Sequence, residues 1–152
     1  MKHQFFMGFL LLCICTAFTA IAQEPLSKDK SAQKSLLFAS LPQKLACNRL
    51  ELEKLSHSSK SDKVSIKLSD NLLLSGEVIE RIESAPGIQN MNIRLSNFGN
   101  ALLNVSILTQ PDNTTKIIGR IIHPKHGDAL VITEENGKYY ITKQKMEFFM
   151  VE

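Results

Sequence analysis

Most of the sequence alternates hydrophobic and polar residues with a period of two. Val64, Ile66 and Leu68 alternate with small or charged residues, and the same pattern recurs around Ile93 and Val105. Such alternation predicts β-strands with one face toward a core and the other toward water. Short turn sequences separate these stretches, so consecutive strands should pair antiparallel. We therefore predict a mainly β fold, an antiparallel meander of about eight strands that forms a small barrel or sandwich.

Turn residues and a run of isoleucines refine the expected sheet. Asn136-Gly137 lies between two apolar runs, which predicts a hairpin with a type I′ turn because both of its central residues need positive φ. Four isoleucines between residues 117 and 122 flank Gly119 and Arg120. Apolar residues on both faces are typical of a central strand. A last strand is predicted from Lys145 to Val151.

One short helix is predicted before the strands. Asn48 has the character of an N-cap, and Glu51 stands at the third helical position, as in a capping box. Leu52 and Leu55 are three residues apart and would share one face. We expect a helix from about Arg49 to Leu55 that packs against a sheet edge or plugs one end of a barrel.

Residues 1–22 have the three parts of a secretory signal peptide. Lys2 gives a basic start, an apolar run extends from Phe5 to Phe18, and Ala20-Ile21-Ala22 forms a small-x-small cleavage site. Because the apolar run is shorter than the ~20 residues that cross a bilayer, we expect cleavage rather than a membrane anchor. The mature protein should begin near Gln23 and be exported, to the periplasm or the extracellular space.

The mature sequence divides into a polar segment and one domain. Residues 23–35 are rich in Lys and Ser, and they hold too little apolar surface to offset the entropy lost on ordering. We predict that this segment is flexible. Residues 36–152 then form a single β-rich domain with its helix near the N-terminus, without an internal repeat of fixed spacing.

Charge and cysteine content exclude several classes of protein. The chain has 18 Lys and Arg against 15 Asp and Glu, and removal of Lys2 with the leader leaves 17 − 15, or +2. This small charge and the absence of Trp are not those of a nucleic-acid binder. Cys47 is the only cysteine left in the mature chain, so no intramolecular disulfide can form. We interpret Cys47 as a small buried hydrophobe, with an intermolecular disulfide or a reactive thiol as alternatives.

The loop from His123 to Asp128 is where the sequence could hold a metal ion. His123, His126 and Asp128 supply two imidazoles and a carboxylate, which are ligands of zinc and similar cations. Pro124 and Gly127 give the same loop an ordinary role as a turn between strands. Signatures for a nucleophile elbow, a zinc peptidase, a phosphate-binding loop and a dinucleotide site are absent from the sequence. No cofactor is expected, and an enzyme is the less favoured interpretation.

Arg120, Phe148 and Phe149 are the candidate partner-binding residues. Arg120 stands among isoleucines on a strand, so its guanidinium must reach water or find a carboxylate partner. The predicted last strand is apolar on both faces and would need cover. That cover could come from barrel closure, a second copy of the chain or an added peptide.

The stretch from Ile117 to Ile141, with Gly119-Arg120-Ile121 and Asn136-Gly137-Lys138-Tyr139-Tyr140, resembles the β-rich prosegments of secreted metallopeptidases. The leading hypothesis is an exported, non-enzymatic β-domain that binds a protein, peptide or glycan partner. A peptidase inhibitor or prosegment-like module is one alternative, and a small metal-dependent enzyme using the loop of His123, His126 and Asp128 is another.

Overall fold

The computed structural model describes residues 34–149, with the side chains of residues 34–147. The predicted signal peptide and residues 23–33 of the polar segment lie outside the described residues. No helix in the described part is long and apolar enough to span a membrane. The regular elements are β1 (Lys44–Cys47), α1 (Arg49–Glu53), β2 (Lys63–Ser69), β3 (Leu72–Ala85), β4 (Ile88–Leu95), β5 (Ala101–Thr109), β6 (Thr115–Ile122), β7 (Asp128–Glu135) and β8 (Lys138–Lys145).

The eight strands of the described chain form one antiparallel sheet in the order β1-β8-β7-β6-β5-β4-β3-β2. From β3 to β8 each strand pairs with the one before it in sequence, as in a meander, while β1 pairs with β8. The sheet curls into a half-barrel. The prediction of a mainly β antiparallel meander with one short helix is confirmed.

The curl brings the two edges of the sheet toward each other. β1 and β2 are the edge strands, and α1 with the 3₁₀ turn Lys54–His57 leads from one to the other. The N–H of Asn48, at the end of β1, donates to the carbonyl of Leu68 on β2 at 2.7 Å. This one bond joins the edges near the start of α1.

The concave face of the sheet holds the core. Inward residues of β2 to β8 pack with Leu52 of α1 and Leu55 of the following turn, which are 0% and 1% exposed. Phe38 comes from the segment before β1, is fully buried, and has its ring centroid 5.5 Å from that of Phe98. Helix and N-terminal segment together therefore cover the open side of the half-barrel.

The helix forms where the sequence predicts it. Asn48 is the N-cap, and its side-chain oxygen accepts from the N–H of Leu50 at 3.0 Å. Only half of the capping box is present, because the Asn48 N–H is used by the carbonyl of Leu68. Glu51 instead accepts from the N–H of Lys67 on β2 at 3.3 Å.

The strand predicted from Lys145 to Val151 was wrong, and β1 was missed. β8 ends at Lys145, and Met146–Phe149 forms a 3₁₀ turn, while residues 150–152 lie outside the description. No strand residue pairs with β8 beyond Lys145, because β7 begins with Asp128 opposite Lys145 and β1 has only four residues. A strand without a partner on either side has no ladder to join.

The turn predicted at Asn136-Gly137 is confirmed. The two residues have φ values of 51° and 75°, the left-handed pair that a type I′ turn requires. The same turn fixes the register of β7 on β8, in which Glu135 faces Lys138.

Candidate partner-binding groove on the outer face

A row of polar side chains crosses the outer, convex face of the sheet. The register places Glu80 opposite Asn92, Asn92 opposite Asn104, and Asn104 opposite Arg120. The Asn92 amide donates to the Glu80 carboxylate, and the Asn104 amide donates to the Asn92 carbonyl oxygen. Arg120 closes the row by donating from Nε to Asn104 Oδ1 at 3.4 Å.

Arg120 ends this row without a carboxylate partner. It is exposed, and none of the four salt bridges between described residues includes it. Its Nε faces Asn104, and no hydrogen bond to the described residues uses its two terminal nitrogens. A guanidinium held at one nitrogen with its fork toward water can receive a carboxylate through two parallel bonds.

The sheet is split beside Arg120, between β6 and β7. Only three residue pairs join these strands, from Gly119↔Ile132 to Ile121↔Leu130, whereas eight pairs join β6 to β5 and eight join β7 to β8. The Tyr139 hydroxyl fills the inner side of the split and accepts from the N–H of Ile117 at 3.0 Å. A side chain thus satisfies a buried backbone donor that a paired β7 would have satisfied.

A groove of about 430 Å³ opens on the outer face over this split. The exposed side chain of Ile118 (40%) lies in it beside Arg120. The lining residues are Asn104, Ser106, Ile118, Gly119, Arg120, Val131, Ile132 and Thr133. This volume falls within the range of small ligand sites, and the lining offers an apolar contact, a cation and several hydrogen-bonding groups.

Gly119 lets β6 lie close to β5 at the floor of the groove. A Cβ built at this position would be 2.9 Å from the carbonyl oxygen of Asn104, closer than two such atoms pack. Any side chain at this position would push β6 away from β5 and change the position of Arg120, the next residue.

The loop from His123 to Asp128 binds the chain's own N-terminal segment. The two imidazole centroids are 4.6 Å apart. His123 Nε2 donates to the Gly99 carbonyl at 3.0 Å while its Nδ1 accepts from the N–H of Lys125. His126 Nδ1 lies 3.1 Å from the Ser35 hydroxyl.

In the described part, no group of three His, Cys, Asp or Glu side chains is arranged to hold a metal ion. The metal-binding role of this loop stays a prediction.

Asp128, at 3% exposure, and Lys143 hold residues 34–41, a segment that we call the strap. The Asp128 carboxylate accepts from the N–H of Leu37 at 2.7 Å and from that of Phe38 at 2.8 Å. The Lys143 ammonium donates to strap carbonyls, including that of Leu41 at 2.8 Å. The carboxylate accepts from N–H groups of the strap and the ammonium donates to its carbonyl groups, so hydrogen bonds on both sides hold the buried Phe38 in place.

Cys47 lies partly buried at the end of β1 and packs against the core. Burial raises the pKa of its thiol to about 12. Since the thiolate is the nucleophilic form, the Cys47 side chain is the protonated, poorly reactive thiol at neutral pH. The alternative of a reactive thiol at Cys47 gains no support from such a pKa.

Phe148 and Phe149 fall on the 3₁₀ turn after β8 rather than on a strand. The packing of their side chains lies outside what the structure describes, and their role in partner binding stays a prediction.

Of the residues that form the groove and the split, the sequence singled out Arg120 but missed Ile118 and Tyr139. An isoleucine in an isoleucine run gives no sign that it is exposed, and no local pattern links Tyr139 to a strand 22 residues away.

Comparison of the chain with family models, with curated proteins and with solved structures finds no match. The geometry of the half-barrel and its groove is therefore the basis for the functional proposal.

Proposed function

We propose that the mature protein is an exported, non-enzymatic β-domain that binds a protein or peptide partner in the groove beside Arg120. The observation that carries this proposal is the exposed guanidinium, which has no carboxylate partner among the described residues and lies next to the exposed Ile118. Binding sites combine apolar contact with a few placed polar groups, and arginine is common among the residues that dominate binding energy.

The contents of the groove favour binding over catalysis. Ser106 and Thr133 are its hydroxyl groups, and the lining contains no histidine, cysteine or carboxylate that could serve as a general base. The Ser106 hydroxyl donates to Asn90 at 2.7 Å. A hydroxyl engaged in this way, with no base beside it, is not an activated nucleophile.

The outer face favours a polypeptide over a glycan. Sugar rings stack on open aromatic faces, and Tyr140 is the aromatic residue that the described strands place on the outer face. Its ring is covered by the ammonium of Lys44, 4.2 Å from the centroid. Polar groups such as Asn104 and Thr133 can still bond the amides and carbonyls of a peptide.

Export is part of the proposal and is supported by the leader pattern of residues 1–22. We expect intact-mass analysis of the protein recovered from its natural compartment to give a chain that starts near Gln23. A chain that keeps Met1 to Ala22, or that carries lipid on Cys13 or Cys15, would contradict this part of the proposal.

Selection from a displayed random-peptide library, with a panel of acidic oligosaccharides beside it, tests the binding site. We expect the mature domain to enrich peptides whose binding falls about tenfold or more with Arg120→Ala, because a charge-assisted hydrogen bond contributes about 1.5–3 kcal/mol. Arg94→Ala is the matched control, since Arg94 is exposed on the outer face but lies outside the groove. Ligands that bind the Arg120→Ala and wild-type domains equally would refute the assignment of the groove.

A further inference from the structure

We infer that the groove recognises an extended peptide in which one apolar residue has an acidic residue two positions before it and another two positions after it. This inference rests on the proposed function and deepens it, because it names the class of peptide. It comes from the outward-facing residues of β6 and from the split that separates β6 from β7.

β6 presents a cation, an apolar side chain and a second cation in sequence along its outer face. Lys116, Ile118 and Arg120 alternate with the inward residues Ile117 and Gly119. Neither Lys116 nor Arg120 takes part in the salt bridges between described residues. Successive members of the row are about 6.6–6.8 Å apart, since a strand rises about 3.3–3.4 Å per residue.

An extended peptide has the same spacing between its alternate side chains. A peptide lying along β6 can therefore set an apolar side chain against Ile118 while an acidic side chain reaches each cation. The motif reads the same in both chain directions, so either orientation of the peptide satisfies it. Of the two acids, the one over Arg120 should matter more, because guanidinium binds carboxylate through two parallel bonds and ammonium does not.

The split supplies room and polar contacts for the backbone of such a peptide. Beyond Gly119, β6 has no pairing with β7, and the groove lies outside this unpaired stretch. Tyr139 closes the inner side of the split through its bond to Ile117, so a peptide on the outside does not reach the core. Ser106 and Thr133 on the walls can bond backbone groups of the peptide.

Fluorescein-labelled nonamers test the motif by fluorescence anisotropy at low salt. The test peptide has Glu, Leu and Glu separated by single serines and flanked by Gly and Ser. One comparison peptide has both Glu replaced by Gln, and another has the three residues adjacent to one another. We expect the test peptide to bind the wild-type domain at least tenfold more tightly than either comparison peptide. We also expect added salt to weaken its binding.

Variants of β6 assign the contacts. Arg120→Ala should weaken binding of the test peptide about tenfold or more, and Lys116→Ala and Ile118→Ser by about threefold to tenfold. Arg94→Ala should leave binding within about twofold. Thermal melts identify any variant that fails to fold, and Arg120→Lys, which keeps the charge but loses the fork, gives a second readout at the same position.

The outcomes separate this inference from the proposed function. Equal binding of the Glu and Gln peptides, or selected ligands that depend on Arg120 but lack the motif, would overturn the inference and leave the proposed function standing. Arg120-dependent binding of an acidic oligosaccharide, with no peptide bound in that way, would keep the groove as a binding site but overturn both the inference and the proposed polypeptide partner. Failure of every peptide and oligosaccharide to show a difference between wild type and Arg120→Ala would overturn both.

Discussion

The buried Asp128 provides the sharpest test of how the strap is held. Its two oxygens accept from the N–H groups of Leu37 and Phe38 at 2.7 and 2.8 Å, and the residue is 3% exposed. A hydrogen bond to a charged group contributes about 1.5–3 kcal/mol, and a buried donor without a partner costs free energy of similar size. We therefore expect Asp128→Ala to lower the free energy of unfolding by about 3–6 kcal/mol.

Asp128→Asn should cost about half as much, because an amide NH2 group replaces one of the two accepting oxygens and leaves one strap N–H facing a donor. Asp70→Ala is the matched control. The Asp70 side chain is 96% exposed, and its ion pair in the described part of the chain is with Lys67. Its loss should therefore change the free energy of unfolding by no more than about 0.5 kcal/mol.

Urea denaturation of a chain of residues 23–152 measures these free energies, and amide hydrogen exchange locates the effect. We expect the amides of Leu37 and Phe38 to lose protection in the Asp128→Asn variant while that of Ile121, at the β6–β7 pairing, keeps it. The exchange readout remains informative if Asp128→Ala is too unstable to purify. Unchanged protection at Leu37 and Phe38, or an Asp128→Ala variant as stable as Asp70→Ala, would refute the reasoning.

Three further predictions concern a hydroxyl, a thiol and the histidine loop. Tyr139→Phe removes the acceptor of the buried Ile117 N–H and should lower the free energy of unfolding in urea by about 1–3 kcal/mol. Iodoacetamide at pH 8 should alkylate Cys47 on the order of a thousandfold more slowly in the folded than in the unfolded protein, because the thiol pKa is about 12 instead of 9.0. Zinc should not raise the melting temperature, with or without His123→Ala and His126→Ala.

Each of these predictions has an outcome that contradicts it. Tyr140→Phe, whose hydroxyl lies on the outer face, should cost much less than Tyr139→Phe, and equal losses would exclude the hydrogen bond as the cause. Similar alkylation of folded and unfolded Cys47 would show an accessible thiolate. A zinc-induced rise in melting temperature that disappears in the double variant of His123 and His126 would establish the metal site.

Patterns that repeat over many residues predicted most of this fold, while contacts distant in sequence decided the rest. Strands β2 to β8 follow from apolar runs between turn sequences, several of them alternating with polar residues, and the helix follows from Asn48, since these signals are local. β1 gives no such signal, because four residues hold too few alternations. For Arg120, the sequence showed that a partner was needed but could not show that the register places Asn104 opposite instead of an acid. The split depends on Tyr139, a residue two strands away.

The placement of β1 against β8 has a consequence for the order of folding. Chains are synthesised from the N-terminus, so β1 and the strap emerge first, but their partners emerge last. The contacts of Asp128 and Lys143 with Phe38 span 90 and 105 residues of sequence. Contacts between such distant residues form slowly because a long loop must first close. The hairpins from β2 to β8 can form as they are synthesised, whereas the concave apolar face stays uncovered until the strap and β1 dock. We expect pulse-labelled hydrogen exchange during refolding to show the amides of Phe38 and Leu45 protected last. Until then the exposed apolar face can bind chaperones or a second copy of the chain.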